Sequence, residues 1–372
     1  MIKTIAVLGA GHGGCAAAGD LGKRGFSVRL HARNAERLGA LRRQGGIRIS
    51  GVHEGLVSID RMTTDIAEAV EGTDLVMLVV PSVAHGHYAR ALAGILRPGQ
   101  PIFLNPGHTG GGLNFVHELR ERGCTVPIET CETVTLTYIC RLVGEGHVQL
   151  YSCTKNLAFA AFPGDSQERL YSLVKPVFPE ICQASSVLET ALTNINAVFH
   201  PPGMLMNAGW IEHSRGDFLF YIEGVTESVG RVTEAVDRER LAVARGLGVP
   251  AISFLDAFHR AGLTTEAARA SGSISRACRE SEPNRAIKSP PSLRHRYIME
   301  DVGYGMVPIS ELGDLAGVNT PVIDALVTMA SAAMGEDLRA NGLSLARMGL
   351  AGLSPGELKR YIQTGARGAP PA

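Results

Sequence analysis

The opening segment "KTIAVLGAGHGG" constrains the chain more than any other stretch. An unbroken apolar run ends in glycines, and the alanine-rich "CAAAGDL" follows at once. Gly9, Gly11 and Gly14 stand in the order G-x-G-x-x-G, with His12 and Gly13 in the same turn. In a strand–turn–helix unit the first glycine permits the turn and the second lets a pyrophosphate reach the backbone. The third lets helix and strand pack closely. Free amides and the helix dipole at that point favour phosphate charge. The segment therefore predicts a dinucleotide-binding turn lined by Gly9, Gly11, His12, Gly13 and Gly14.

The stretches that follow alternate between strand and helix, as expected of a parallel sheet with helices on both faces. "FSVRLHAR" reads as the second strand, "NAERLGALRRQGG" as its helix, and "DLVMLVV" and "PIFLN" as later buried strands. "IRISGVHEGLVSID" alternates around a glycine and reads as a hairpin appended to the sheet. "VPIETCET" and "HVQLYSCTKNLAFAAFP" add strand character. The second strand ends in "RLHARN", without the carboxylate that would accept bonds from the ribose of NAD. Arg33 instead suits a 2'-phosphate, and Asn34 either assists it or caps the next helix. NADP(H) is the favoured cofactor, with NAD(H) the alternative. "VVPSVAHGH" and "NPGHTGGG" end two further strands, so Pro81, Ser82, Asn105, Pro106 and Gly107 are expected to wall the nicotinamide side, unless they are ordinary turns.

From about Ser185 the spacing becomes helical, and "VTESVGRVTEAVDRERLAVARGLG" and "TPVIDALVTMASAAMG" are clear amphipathic runs. This shift sets a domain boundary near residue 184, dividing the chain into 1–184 and 185–372, and no internal repeat is evident. The apolar C-terminal helices offer a face for a homodimer, and the tail "GARGAPPA" reads as disordered. Lys and Arg together number 36, as do Asp and Glu, so no net field recruits nucleic acid or anionic lipid. The apolar runs are strand-length, far short of the roughly 20 residues a membrane span needs. No basic-then-apolar leader is seen, so a cytoplasmic location is expected. The seven cysteines include no Cys-x-x-Cys pair and none lies at zinc spacing from a histidine pair. Free thiols and no metal follow.

"TNINAVFHPPGMLMNAGWIE", residues 193–212, reads as a buried helix that nevertheless carries Asn194, Asn196, His200 and Asn207 and is expected to break at Pro201-Pro202. "SLRHRYIMEDVGYG" brings Arg296 and Asp301 together beside Tyr297 and Tyr304. Histidine suits proton transfer near neutral pH. A carboxylate beside it would fix its tautomer, and the guanidinium fork matches a carboxylate. The three asparagines are either neutral donors to a ligand or satisfiers of helix-end backbone. Tyr138 and Tyr297 complete the candidates for substrate contact.

With "NPGHTGGG", "ETVTLTYICR", "NINAVFHPPGMLMNAG" and "RYIMEDVGYGMVPISELGDLAGVNTP", the chain resembles the octopine/nopaline (opine) dehydrogenases over nearly its whole length. The last two motifs are the specific ones. The resemblance implies an α/β N-terminal Rossmann-type doubly wound sheet followed by an all-α C-terminal domain. It also implies a reductive joining of the amine of an L-amino acid to a 2-oxo acid of the pyruvate or 2-oxoglutarate type. It makes His200 the catalytic acid/base, Asp301 its carboxylate partner, and Arg296 the holder of a substrate carboxylate. Two other readings compete. A ketopantoate-reductase-like or 3-hydroxyacid-dehydrogenase-like enzyme would need a catalytic lysine on a helix of the second domain. Lys155, in "SCTKNLAF", instead reads as strand, and 185–212 offers histidine. A non-enzymatic dinucleotide sensor would have no need of His200, Arg296 and Asp301 together.

Overall fold

The computed structural model describes residues 1–367, and residues 368–372 of the "GARGAPPA" tail lie outside the described residues. Two compact units form. The first comprises Met1–Gly107, Gly111–Thr190 and the chain from Arg360, and the second comprises His108–Gly110 and Ala191–Lys359. The division falls six residues beyond position 184. It is also discontinuous, because the tripeptide His108–Gly110 groups with the second unit and the chain from Arg360, within the C-terminal helix Pro355–Thr364, returns to the first.

In the first unit β1 (Thr4–Leu8), β2 (Ser27–His31), β3 (Ile47–Gly51), β4 (Gly55–Val57), β5 (Arg61–Thr63) and β6 (Leu75–Leu78) are followed by β7 (Ile102–Leu104) and β8 (Thr130–Thr133). Next come β9 (Tyr138–Gly144), β10 (His147–Cys153), β11 (Leu157–Phe162) and β12 (Ile181–Gln183). The main sheet has the order β12-β11-β8-β7-β6-β1-β2-β5, and its pairings from β5 to β8 are all parallel. From β1 the chain winds outward to β2 and β5, then crosses back to β6 on the other flank. That reversal makes the carboxyl ends of β1 and β6 the switch point where open α/β sheets take ligands.

The hairpin forms, since Ile47 to Ile49 pair antiparallel with Val57 to Gly55. It does not extend the main sheet. It joins a separate sheet of order β4-β3-β10-β9, in which residues 48–51 pair with residues 147–150. This second sheet explains the composition of α1 (His12–Lys23). A Cβ on Gly19 would meet Ile49 at 3.3 Å, and one on Gly22 would meet Val57 at 2.8 Å. Gly14 to Leu21 are all buried. A helix covered on two sides must be built of small side chains, and burial of Ile47, Ile49, Val57, Val148 and Leu150 against it completes one continuous core. Lys155 is not in a strand. It lies in the turn between β10 and β11, beside Asn156 at φ 49°.

The second unit is helical apart from one isolated bridge, Leu219 to Lys288. Its long helix Glu227–Leu247 begins at Thr226, whose side chain accepts from Val229 N, and ends at Gly248 in the left-handed conformation. Arg240 of this helix is fully buried. Its Nε and Nη2 donate to Asp237 at 3.0 and 2.5 Å, and its guanidinium also donates to the carbonyls of Leu192 and Ile252. No helix among the described residues is long and apolar enough to cross a membrane.

The expected break at Pro201-Pro202 does not occur. Helix Asn196–Leu205 runs through both prolines, and the interruption lies before it, between Leu192 and Asn196. Two adjacent prolines remove two amide donors, at about 3 kcal/mol each in a helix interior. Burial of every residue from Ala197 to Leu205, with the Phe220 ring so near Gly203 that a Cβ there would meet it at 2.7 Å, offsets that cost. Tertiary packing overrides the local preference.

Candidate active site

In the first unit the glycine turn has the form its residues predict. Gly9 adopts φ 118°, and a Cβ on Gly14 would collide with the Gly9 carbonyl. A Cβ on Gly11 would meet nothing within 4 Å, so the backbone lies open where a pyrophosphate would approach. Gly11 also caps α1 without any side-chain bond, which leaves the first-turn amides for a phosphate. His12 Nδ1 accepts from Leu142 N at 3.1 Å, tying the turn to β9. This donor set fits a dinucleotide.

Arg33 is exposed and has no hydrogen-bond or ion-pair partner among the described residues. Asn34 caps the following helix, accepting from Glu36 N at 2.8 Å. Pro81 precedes a single helical turn beginning at the buried Ser82. Asn105 donates to Thr137 Oγ1 at 2.7 Å and accepts from Thr137 N at 3.0 Å. Tyr138 donates to Asp20 at 2.9 Å, so its hydroxyl is committed to the C-terminal half of α1.

Sequence reasoning missed Glu132 in this unit. Its carboxyl is buried on β8, and a Cβ on Gly107 would collide with it. Burial pushes its pKa to about 7, against the pull of bonds from Thr190 Oγ1 and Gly112 N.

In the second unit His200 and Asp301 meet. Nδ1 of His200 lies 2.7 Å from Asp301 Oδ2, and both residues are buried. A carboxylate only accepts, so the proton sits on Nδ1 and Nε2 is left for chemistry. Tyr297 stacks on the imidazole with ring centroids 3.6 Å apart and planes 11° from parallel. One hydrogen bond and one ring face thus fix the histidine's orientation.

The partners come from a short helix, Arg296–Met299, that passes into a π-helical turn, Val302–Met306. Gly305 in that turn allows close approach to helix Asn196–Leu205, since a Cβ there would meet Ala197 at 2.6 Å. Arg296 Nε lies 3.3 Å from Glu300, and its side chain is 53% exposed, so the rest of the fork is available to a carboxylate.

Two of the asparagines satisfy backbone or neighbouring side chains. Asn194 donates to Thr109 Oγ1 at 3.0 Å and accepts from Asn196 N, and Asn207 donates to the carbonyls of Gly203 and Gly224. The side chain of Asn196 has no bonded partner among the described residues. His108 and Glu300 escaped sequence reasoning, although both lie in quoted motifs and Glu300 directly precedes Asp301.

The family model for the NAD/NADP octopine/nopaline dehydrogenase alpha-helical domain matches residues 183–334, and that for the NAD-dependent glycerol-3-phosphate dehydrogenase N-terminus matches residues 4–118. The opine dehydrogenase of Arthrobacter sp. (strain 1C) is 35% identical, the match covering 97% of this chain and 99% of that protein. The chain belongs to the octopine/nopaline dehydrogenase family. The enzyme is therefore an NAD(P)-dependent oxidoreductase acting on CH–NH bonds, and the ketopantoate-reductase-like and sensor readings give way.

Its fold is that of an octopine dehydrogenase solved with NADH and L-arginine, with TM-score 0.80 at 20% identity and full coverage of both chains. A yersinopine dehydrogenase with NADP+ bound gives TM-score 0.73 at 16% identity, with 98% of each chain covered. Both are likenesses of fold.

Proposed function

We propose that the enzyme condenses the amine of an L-amino acid with a 2-oxo acid and reduces the resulting imine to a secondary-amine dicarboxylate. The observation that carries this reading is the buried His200–Asp301 pair with Arg296 on the same short segment. Arg296 holds a substrate carboxylate through its exposed fork. Attack of the amine on the carbonyl carbon gives a carbinolamine. His200 Nε2 passes a proton to its hydroxyl, the C–O bond breaks, and water leaves. Asp301 stabilises the imidazolium before that transfer, and Tyr297 keeps the ring plane aligned. The bound dinucleotide supplies the hydride. NADPH oxidation across a matrix of 2-oxo acids and amino acids tests the reading. Turnover that requires both partners supports it, and oxidation with a 2-oxo acid alone overturns it.

Arg33, exposed and unpaired among the described residues, supports a preference for NADP(H). Replacing Arg33 with Gln is expected to raise KM for NADPH about tenfold or more, the scale of one charge-assisted bond, with KM for NADH nearly unchanged. Equal effects on the two cofactors would sink that assignment. Seven free thiols among the described residues suit a reducing, cytoplasmic setting. A homodimer through the C-terminal helices remains our reading of their apolar surface.

A further inference from the structure

Glu300 and Asp301 are consecutive, yet their carboxylates serve different imidazoles. Asp301 holds His200, while Glu300 Oε1 lies 3.5 Å from Nε2 of His108. Adjacent residues project about 100° apart on a helix, so one short segment addresses two partners. His108 is 4% exposed and adopts φ 56°, a left-handed conformation that side chains other than glycine rarely take. The next residue, Thr109, is tied down by Asn194. Nδ1 of His108 has no hydrogen-bond partner among the described residues. A buried, unpaired nitrogen in a strained loop is an expense that calls for a ligand.

The identity of that ligand follows from the tautomer. The carboxylate of Glu300 favours the proton on Nε2, so Nδ1 presents a lone pair and seeks a donor. A 2-oxo acid ionised at its carboxyl offers only acceptors. An amino acid arrives as an ammonium group with three N–H donors.

Resting on the reductive-condensation reading above, we propose that His108 is a second general base, dedicated to the amine. Nδ1 takes one proton from the ammonium group, the N–H bond breaks, and its electron pair stays on nitrogen for attack on the carbonyl carbon. Glu300 stabilises the imidazolium so formed. After reduction His108 returns this proton to the secondary amine, and solvent replaces the proton that His200 gave to the departing hydroxyl. The division of labour is clean, with the His108–Glu300 pair serving nitrogen and the His200–Asp301 pair serving oxygen. Burial lowers the basicity of His108, with Arg296 and His200 acting in the same direction and Glu300 and Asp301 opposing them. The imidazole is thereby held in the neutral form that can receive a proton.

The test is the pH dependence of kcat/KM for the amino acid, measured at saturating 2-oxo acid and NADPH. His108→Gln keeps a hydrogen-bond acceptor but cannot carry a proton. At about pH 7 it is expected to lose about 100-fold, the scale of one general base, and to recover to within about threefold of wild type near pH 9.5, where the amine arrives deprotonated. Glu300→Gln should show the same recovery from a loss of about tenfold, and it carries the test if His108→Gln fails to fold. A loss of equal size at every pH, or no loss, overturns the proposal. If wild type turns over no pair of 2-oxo acid and amine, the reductive-condensation reading falls and takes this one with it. A wild type that turns over while both variants match it sinks this inference alone.

Discussion

Asp301→Asn is expected to lower kcat by about 10³ to 10⁴ while leaving KM for the dinucleotide nearly unchanged. The size of the effect comes from the tautomer. With an ionised Asp301 2.7 Å away, His200 must carry its proton on Nδ1. An asparagine at that position donates an amide N–H as readily as it accepts, so the imidazole turns its lone pair inward and moves its proton to Nε2. Nε2 is then no longer free to take up the proton that it must pass to the carbinolamine hydroxyl. His200→Ala should cost about as much, and the double variant little more, because the two side chains act as a unit. Steady-state kinetics with a productive 2-oxo acid and amine pair checks all three proteins. Turnover within about tenfold of wild type for either single variant would remove the pair from the mechanism.

Arg240→Met should destabilise the helical unit by about 3–5 kcal/mol, the usual cost of removing one partner from a buried ion pair. Arg240 is among the largest fully buried side chains, and its loss strands the Asp237 carboxylate. It also leaves the carbonyls of Leu192 and Ile252 without their donor. Urea unfolding of the intact enzyme measures the loss. Adding Asp237→Asn should restore part of it, since the uncompensated charge then disappears. If Arg240→Met unfolds at the wild-type urea midpoint, the buried pair does not carry the stability assigned to it. Because Leu192 ends the helix before the 193–195 interruption, this bond also fixes the entry into helix Asn196–Leu205 that carries His200.

What could be read in the sequence was what the chain concentrates locally. The glycine turn works within six residues, and its role follows from backbone sterics alone. His200, Arg296 and Asp301 were legible because two compact motifs hold them. The pairing of β3 with β10 joins residues about a hundred positions apart, and nothing within either strand encodes the choice of partner. The helix through Pro201 and Pro202 was misread for a related reason, because local propensity disfavours it and only burial on all sides sustains it. His108 stayed hidden in a glycine-rich turn, where its neighbours suggested backbone geometry rather than chemistry. The asparagines show the converse, since the sequence left them between ligand donors and satisfiers of backbone, and the side chains of Asn194 and Asn207 are largely occupied in holding the frame.

The π-helical turn Val302–Met306 bears on how relatives of this enzyme can diverge. Such a turn carries one residue more than the α-helical path between the same ends. Insertions and deletions are tolerated in surface loops at little cost, but a single deletion here would remove the extra residue and restore ordinary α-helical winding between the same ends. The turn would then no longer place Gly305 where a Cβ would meet Ala197. A change in the length of "EDVGYG" is thus expected to disturb the packing against helix Asn196–Leu205 in this enzyme.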